Sequence, residues 1–321
     1  MKGYKAFNPG LICRGKQYAE NTVFEEPTAK ICRSGMHFCK APLDVLDYYP
    51  LINDNGELNE FAEVEALDEV KTDDNKKFVT KKLKVGGKIS IRRLGELHAE
   101  YIREVVKAEG VKNGGDFANQ VGGNESNQVG GNWSKQVGGN ESNQVGGNWS
   151  KQVGGNESKQ VGGNESNQVG GNWSKQVGGN ESNQVGGDCA NQVGGYRSKQ
   201  VGGNKSNQVG GNWSKQVGGN ESNQVGGDWS KQVGGNESNQ VGGDWSNQVG
   251  GNRSKQVGGK NSIMLAGKGS CFKAGLHSVI LHYWYDNDGN IGGFKVAQID
   301  GVNLLPDTWY KLENGEFVEA D

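Results

Sequence analysis

From Gly115 to His282 the chain repeats one eight-residue phrase, Gly-x-x-Ser-x-Gln-Val-Gly. Gly123 to Gly130 reads GNESNQVG and Gly131 to Gly138 reads GNWSKQVG. The phrase recurs to Gly258 in 18 octads carrying Gln-Val, followed by three looser ones, GKNSIMLA, GKGSCFKA and GLHSVILH. Eight residues cannot enclose a core, so stability has to come from stacking each unit on its neighbours. Only 32% of the 321 residues are hydrophobic and 55 are glycine. Without a period that composition would indicate disorder; with one, it indicates a solenoid.

Strand alternation decides which side chains enter the interior. Placing Lys or Asn of the fifth octad position inside would bury Lys135, Lys151, Lys175, Lys215 and Lys231 without partners, which is costly. Ser and Gln therefore face inward, each stacked on its equivalent one coil away, and Lys and Val face outward. The Gly-Gly-Asn or Gly-Gly-Asp junction is expected to form the corner, with the glycines supplying positive φ. One octad then gives one strand and one corner, and two close a flattened coil of 16 residues. Trp133 and Trp149 are 16 apart, as are Trp213, Trp229 and Trp245, with Glu-bearing octads between; Trp173 falls on the other parity. Twenty-one octads make roughly ten coils, a rod on the order of 50 Å at about 4.8 Å per coil.

The flanks differ. Residues 1–92 are mixed in composition, with β-like runs at Glu60–Glu65 and Lys88–Arg92 and a short helix expected over Ala41–Tyr49; a small α+β domain is the simplest reading. In the segment 93–114, Leu94, Leu97, Tyr101, Ile102, Val105 and Val106 form one face of a helix ending at Gly110, placed to cover the first coil. From 283 to 321, aromatic runs alternate with Asn-Gly and Asp-Gly turns, the pattern of β-hairpins forming a second cap. The fold class is thus mainly β: a capped solenoid over 115–282 with an α+β domain before it.

The octads, paired into 16-residue coils and passing into Gly251-Asn-Arg-Ser-Lys and Gly275-Leu-His-Ser-Val-Ile-Leu, resemble the repeat of bacterial ice-nucleation proteins. The resemblance implies the same stacked-coil fold. In that family an outward Thr-x-Thr pair is the water-organising element; here Lys or Asn and Val take those sites, and Gly115–His282 contains no threonine. The termini, MKGYKAFN…CRGKQY…CRSGMHFCKAPLDVLDYY and DTWYKLENGEFVE, resemble phage and prophage proteins that carry short Gly-rich repeats between such ends. Ser34-Gly35-Met36-His37-Phe38 with Tyr48-Tyr49 is similar to the NAD-holding element of ADP-ribosyltransferases, which would also require an early basic residue, Arg14, and a later Glu among Glu60, Glu63 and Glu65.

Charge excludes some partners. A formal net charge of −2 without a basic run offers nothing to nucleic acid or an anionic membrane. The opening MKGYKAFNPGLICRGK lacks a secretory signal's apolar core and no run is long enough to span a bilayer, so a cytoplasmic location is expected. Cys13, Cys32, Cys39, Cys189 and Cys271 read as reduced thiols. Cys32, His37 and Cys39 with Cys13 match no regular zinc spacing, Asp286-x-Asp288-Gly-Asn290 lacks the frame of a calcium loop, and no cofactor is expected.

The outward ladders carry the functional expectation. Rows of Trp133, Trp149, Trp173, Trp213, Trp229 and Trp245 with Lys135, Lys151, Lys175, Lys215 and Lys231 would run beside a row of Val. Such a stripe is either a contact surface or a staple in which rings stack and Lys stems lie across them. The leading expectation is a non-enzymatic structural or binding scaffold, forming a homo-oligomer or filament or docking a flat partner. Two alternatives stand beside it: a water-organising protein, and an ADP-ribosyltransferase-like effector on a solenoid stalk.

Overall fold

A computed structural model describes residues 1–53, 57–108 and 114–320. The chain divides into two compact units, Met1–Asn113 and Gly114–Asp321.

In the first unit, strands β1 (Lys2–Phe7), β4 (Thr22–Glu25), β5 (Met36–Cys39), β6 (Glu60–Ala66), β7 (Val70–Thr72), β8 (Lys77–Thr80) and β9 (Lys82–Ile89) form one antiparallel sheet in the order β4-β9-β6-β1-β5-β8-β7; β2 (Ile12–Cys13) and β3 (Lys16–Gln17) make a separate ribbon. β1 lies between β6 and β5, with Phe7 opposite Glu60 and Tyr4 opposite Cys39. Phe7, Tyr18, Met36, Phe38, Leu83 and Val85 meet in its core. The segment around Pro42 forms a 3-10 helix, Pro42–Asp47, with the proline in its first turn. Helix α1 covers Ile91–Ala108 and starts where the Ser90 hydroxyl accepts the Arg93 N–H at 3.1 Å. Residues 109 and 110, where the sequence ends this helix, lie outside the described residues. Leu94, Leu97 and Ile102 are buried, and α1 packs on the 3-10 helix and β6.

The second unit is the solenoid. Odd-numbered octads supply the three-residue strands of one parallel sheet, beginning at Asn119–Val121, and even-numbered octads those of a second, beginning at Asn127–Val129. Strands pair with those 16 residues on, in strict register: Lys135 with Lys151, Gln136 with Gln152, Val137 with Val153. The 16-residue coil is therefore the structural repeat, and Ser and Gln point inward as alternation requires.

The glutamines hold the two sheets together. Gln168 Nε2 donates to Gln152 Oε1 of the preceding coil at 3.0 Å and to the Val177 carbonyl of the facing sheet at 3.0 Å, while Gln184 Nε2 donates to Gln168 Oε1 at 2.9 Å. The pattern recurs from coil to coil. The serines do not follow it: along Ser126–Ser230 the buried hydroxyls have no hydrogen-bond partner, and side-chain contacts such as Ser238–Ser254 at 3.2 Å arise only in later coils. A carboxamide carries donor and acceptor far enough apart to bridge strands about 4.8 Å apart in every coil, whereas the shorter hydroxyl reaches its equivalent only in the later ones. The ladder stops at Gln248 and Gln256, whose successors are Met264 and Phe272. There the interior becomes apolar, with Met264, Phe272, Ile280, Ile299 and Tyr310 in contact. Antiparallel strands Ile291–Gln298, Trp309–Glu313 and Glu316–Glu319 then finish the two sheets, as the hairpin signals in the sequence anticipate.

The corner differs from expectation. Neither repeat glycine has positive φ; the third octad residue does, as at Trp133 (60°), Glu141 (55°) and Trp149 (56°). Glycine is required for lack of space. A Cβ on Gly138 would stand 2.5 Å from Ser142 Oγ, and one on Gly139 would stand 2.8 Å from the Asn124 backbone nitrogen one coil below. Beside it, Asn124 Oδ1 accepts the Asn140 N–H at 3.0 Å, and Asn140 Oδ1 accepts the Asn156 N–H at 2.9 Å, so the corner asparagines form a ladder of their own.

Gln168→Leu removes two donated bonds and one accepted bond from the interior and should destabilise the solenoid by about 2–5 kcal/mol. Val169→Ala, on an exposed side chain of the same strand, should cost less than about 0.5 kcal/mol. Chemical denaturation of both variants checks the contrast, and equal effects would mean that the amide ladder is not what holds the coils.

Candidate functional site

The first sheet presents its outer face. Val137, Val153, Val169, Val185, Val201, Val217, Val233 and Val249 form a column in which each side chain remains 42–44% exposed. Beside them run Lys135 and Lys151, Asn167 and Asn183, then Lys199, Lys215 and Lys231, in register. Lys199 belongs to this column although the sequence reading passed it over; its octad parity marks it. The second sheet is different: Val129, Val145, Val161, Val177 and Val193 are buried, and so is Lys175. Lys175 is therefore no member of the exposed row, because its octad is even-numbered and lies on the other sheet.

The tryptophans occupy corners, since the third octad position precedes the strand. At the corner leading into the first sheet, Trp133 and Trp149 stack at 4.9 Å with planes 9° apart, and Phe117 lies over Trp133 at 6.3 Å. Trp213, Trp229 and Trp245 form a second stack at 5.0 Å spacing. Between the stacks the same corner carries Glu165, Glu181 and Arg197. Trp173 stands at the opposite corner, 61% exposed, with no ring contact among the described residues. That corner is otherwise rich in glutamate: Glu125, Glu141 and Glu157 on successive coils, then Glu221 and Glu237, which pair with Lys205 at 3.4 Å and with Arg253. The rings thus staple coils through one another. No Lys lies over a Trp ring among the described residues; the cation–π contact within the repeat joins Arg197 to Tyr196 at 5.1 Å.

The first unit holds a cavity of about 430 Å³ that the sequence reading did not foresee as a whole. Arg14, Ser34, Gly35, His37, Phe38, Tyr48 and Tyr49 all line it, together with Lys5, Cys13 and Lys77. None of Glu60, Glu63 and Glu65 does. Glu60 is engaged elsewhere, accepting the Leu11 N–H at 2.7 Å and pairing with Lys88 at 2.7 Å. The glutamate that an ADP-ribosyltransferase-like site requires is therefore not supplied by the residues nominated for it. His37 Nε2 accepts the Cys32 N–H at 3.0 Å, and burial, followed by the nearby charges of Lys5, Arg14 and Lys77, lowers its pKa to about 4. The ring is neutral near pH 7 and positions the loop at Cys32. Burial also pushes the Tyr18 and Tyr49 phenols up and the Lys5 ammonium down. Cys13, Cys32 and Cys39 line the cavity and form no disulfide, and among the described residues no three His, Cys, Asp or Glu side chains could hold a metal ion. Asp286-x-Asp288-Gly-Asn290 is a turn, in which Asp286 Oδ1 accepts the N–H groups of Asp288 and Asn290 at 2.9 Å. No helix among the described residues is long and apolar enough to cross a membrane.

The architecture is that of a phage-type repeat β-solenoid joined to a small α+β unit. Residues 97–193, 164–228 and 188–271 match the bacteriophage T4 gp5 C-terminal trimerisation domain, and together they run over more than half of the chain. Through this repeat the chain belongs to that family. Residues 1–97 match a domain of unknown function, DUF7666. No curated protein and no solved structure matches the chain.

Two outcomes follow from this geometry. Stacked indoles couple their transitions, so the wild-type protein should show an exciton couplet in circular dichroism near the indole bands, and Trp229→Ser should reduce it by separating Trp213 from Trp245. An unchanged couplet would contradict the stack. For His37, the unfolded chain binds a proton near the ordinary value of 6.5 that the folded chain accepts only near 4. Stability should therefore fall as the pH drops through that window. His37→Gln, which keeps an acceptor for Cys32, should flatten the fall in urea denaturation midpoints measured from pH 7 to pH 4.

Proposed function

We propose that the protein is a non-enzymatic structural scaffold that self-associates as a homotrimer through the outer face of the first solenoid sheet. The observation that carries this reading is the column of eight exposed valines from Val137 to Val249 at one pitch and in one register. A contiguous apolar stripe of that length is characteristic of a contact surface. A second copy repeats every 16 residues as well, so one good contact is multiplied along the stack. Charge supports the same partner. Lys199, Lys215 and Lys231 stand on neighbouring strands, where like charges repel, and no ion pair reaches them among the described residues. The Glu125–Glu141–Glu157 corner offers the complementary row. A lysine face meeting the glutamate corner of the next copy is a heterologous contact, which closes into a ring when the rotation allows. The family's name, a trimerisation domain, favours a ring of three.

Light scattering on the full chain should give three times the monomer mass. Val185→Lys with Val217→Lys, at exposed positions that leave the amide ladder intact, should shift it to monomer, and raised salt should weaken the assembly. A monomer at every concentration, or a variant whose mass does not change, would sink the proposal.

The resemblance to ice-nucleation repeats supports a second reading, in which the same regular face orders water. It would present Lys or Asn and Val in place of paired threonines, and droplet freezing with the trimer-breaking variant tests it: a raised freezing temperature lost in that variant would favour water over a second copy.

A further inference from the structure

The cavity of the first unit has a charge imbalance that the scaffold reading does not use. Five cationic side chains line it, Lys5, Arg14, Lys16, Arg33 and Lys77, against one carboxylate, Glu26. That carboxylate is taken, because it pairs with Lys16. No carboxylate forms an ion pair with Lys5, Arg14, Arg33 or Lys77 among the described residues, although the charges of Asp73 and Asp74 act on Lys77; apart from Lys16–Glu26, the ion pairs described in the unit lie elsewhere, at Lys82–Glu25, Lys88–Glu60 and along α1.

Lys5 makes the imbalance costly. It sits on the central strand β1, 6% exposed, with Nζ donating to the His37 carbonyl at 2.9 Å and lying 5.4 and 5.6 Å from the Phe7 and Tyr18 ring centres. A buried ammonium without a carboxylate is expensive, burial lowers the Lys5 pKa with only the Cys13 and Cys39 thiols beside it to offset this, and an anion in the cavity would supply the missing counter-charge. Lys77 also lines the cavity, with Nζ 3.0 Å from Cys32 Sγ and 4.7 Å from the Tyr48 ring centre. Arg14 and Arg33 are exposed at the rim, able to close on a ligand from solvent. Guanidinium forks suit the paired oxygens of a phosphate. Neutral His37 adds no charge and keeps the Cys32 loop in place. Tyr48 and Tyr49 add flat apolar area beside the cations, and the volume falls within the range of small-molecule sites.

We propose that this cavity binds a phosphate-bearing small anion, with Lys5 and Lys77 at its floor and side, Arg14 and Arg33 clamping the phosphate, and Tyr48 and Tyr49 available to a planar ring. The ligand class is set by the excess of cations over carboxylates in the lining, and the preference between a nucleotide and a bare phosphate compound by the tyrosines.

Titration calorimetry on the full chain at low salt, in a buffer free of phosphate, tests this with three probes: ADP, inorganic pyrophosphate and adenosine. ADP and pyrophosphate should bind and adenosine should not. Arg14→Gln with Arg33→Gln, both at exposed positions, should weaken ADP about tenfold or more while leaving the unfolding midpoint unchanged. ADP binding about tenfold tighter than pyrophosphate would identify a nucleotide; equal affinities would identify the phosphate group alone. Lys5→Met, if it folds, should abolish both. The proposal is overturned if neither anion binds, if adenosine binds as well as ADP, or if the double arginine variant binds unchanged. Because the readout is independent of assembly, a failed trimer assay does not bear on it.

Discussion

A single hydrogen-bonding group, the carboxamide of the sixth octad residue, holds the two sheets of the solenoid together. Each glutamine binds its neighbour along the stack and a backbone carbonyl across it, as Gln168 does with Gln152, Gln184 and Val177. The interior is consequently narrow and polar, closed by contact between glycine and serine at the corners, and it needs few hydrophobic residues. Buried polar networks are stable only when their members are satisfied. The ladder meets that condition by translation, since whatever bonds one coil makes, the next makes too. Where it ends, at Gln248 and Gln256, the chain replaces it within two octads by Met264, Phe272 and Ile280, an ordinary apolar core that antiparallel strands can close.

How much of this is readable in the sequence depends on the distance over which each feature is encoded. The 16-residue coil, the inward Ser and Gln and the terminal hairpins are local and periodic, and alternation with tryptophan spacing reveals them. The sign of φ at the corner is not readable in the same way. Paired glycines suggest left-handed conformations, yet here they answer to the Ser and Asn atoms packed against them, and the left-handed residue is whatever follows the asparagine, Trp or Glu alike. A non-glycine residue in that region is held at some cost by the surrounding ladder. That displacement moves the tryptophans from a broad face to an edge, where they stack on one another.

The rest of the site was illegible for other reasons. Parity places Lys175 on the second sheet, but nothing in the sequence says that the second sheet's valines are buried from Val129 to Val193, and Lys175 with them, while the first sheet's valine column is exposed. The cavity gathers residues from Lys5 to Lys77 across strands that are neighbours only after folding. A fragment of it, Ser34 to Phe38 with Tyr48 and Tyr49, shows as a motif. Its charge balance does not, because it depends on where Glu60 and Glu26 spend their carboxylates.

A polar interior of this kind separates what holds the fold from what the surface can do. In a domain with an apolar core, a change on one face of a strand is felt by packing on the other. Here the strand is three residues long and only its middle residue enters the interior, so on the first sheet, where the valine column is exposed, the fifth and seventh positions are free to carry charge or apolar bulk in any order. The repeat uses that freedom unevenly. Valine is kept at the seventh position through all 18 Gln-Val octads, on the exposed first sheet as on the second, whereas the fifth is Lys or Asn and the third ranges over Phe, Trp, Glu, Cys, Arg and Lys. The ladder's backbone acceptor at the seventh position is a carbonyl, which any residue supplies, so the amide network alone does not require valine there. Its β-branched shape suits a strand, yet threonine would suit one as well and would cost less in water. An invariant apolar column on an exposed face is what an interface between repeating partners needs, and a varied third position is what sets their register and sign.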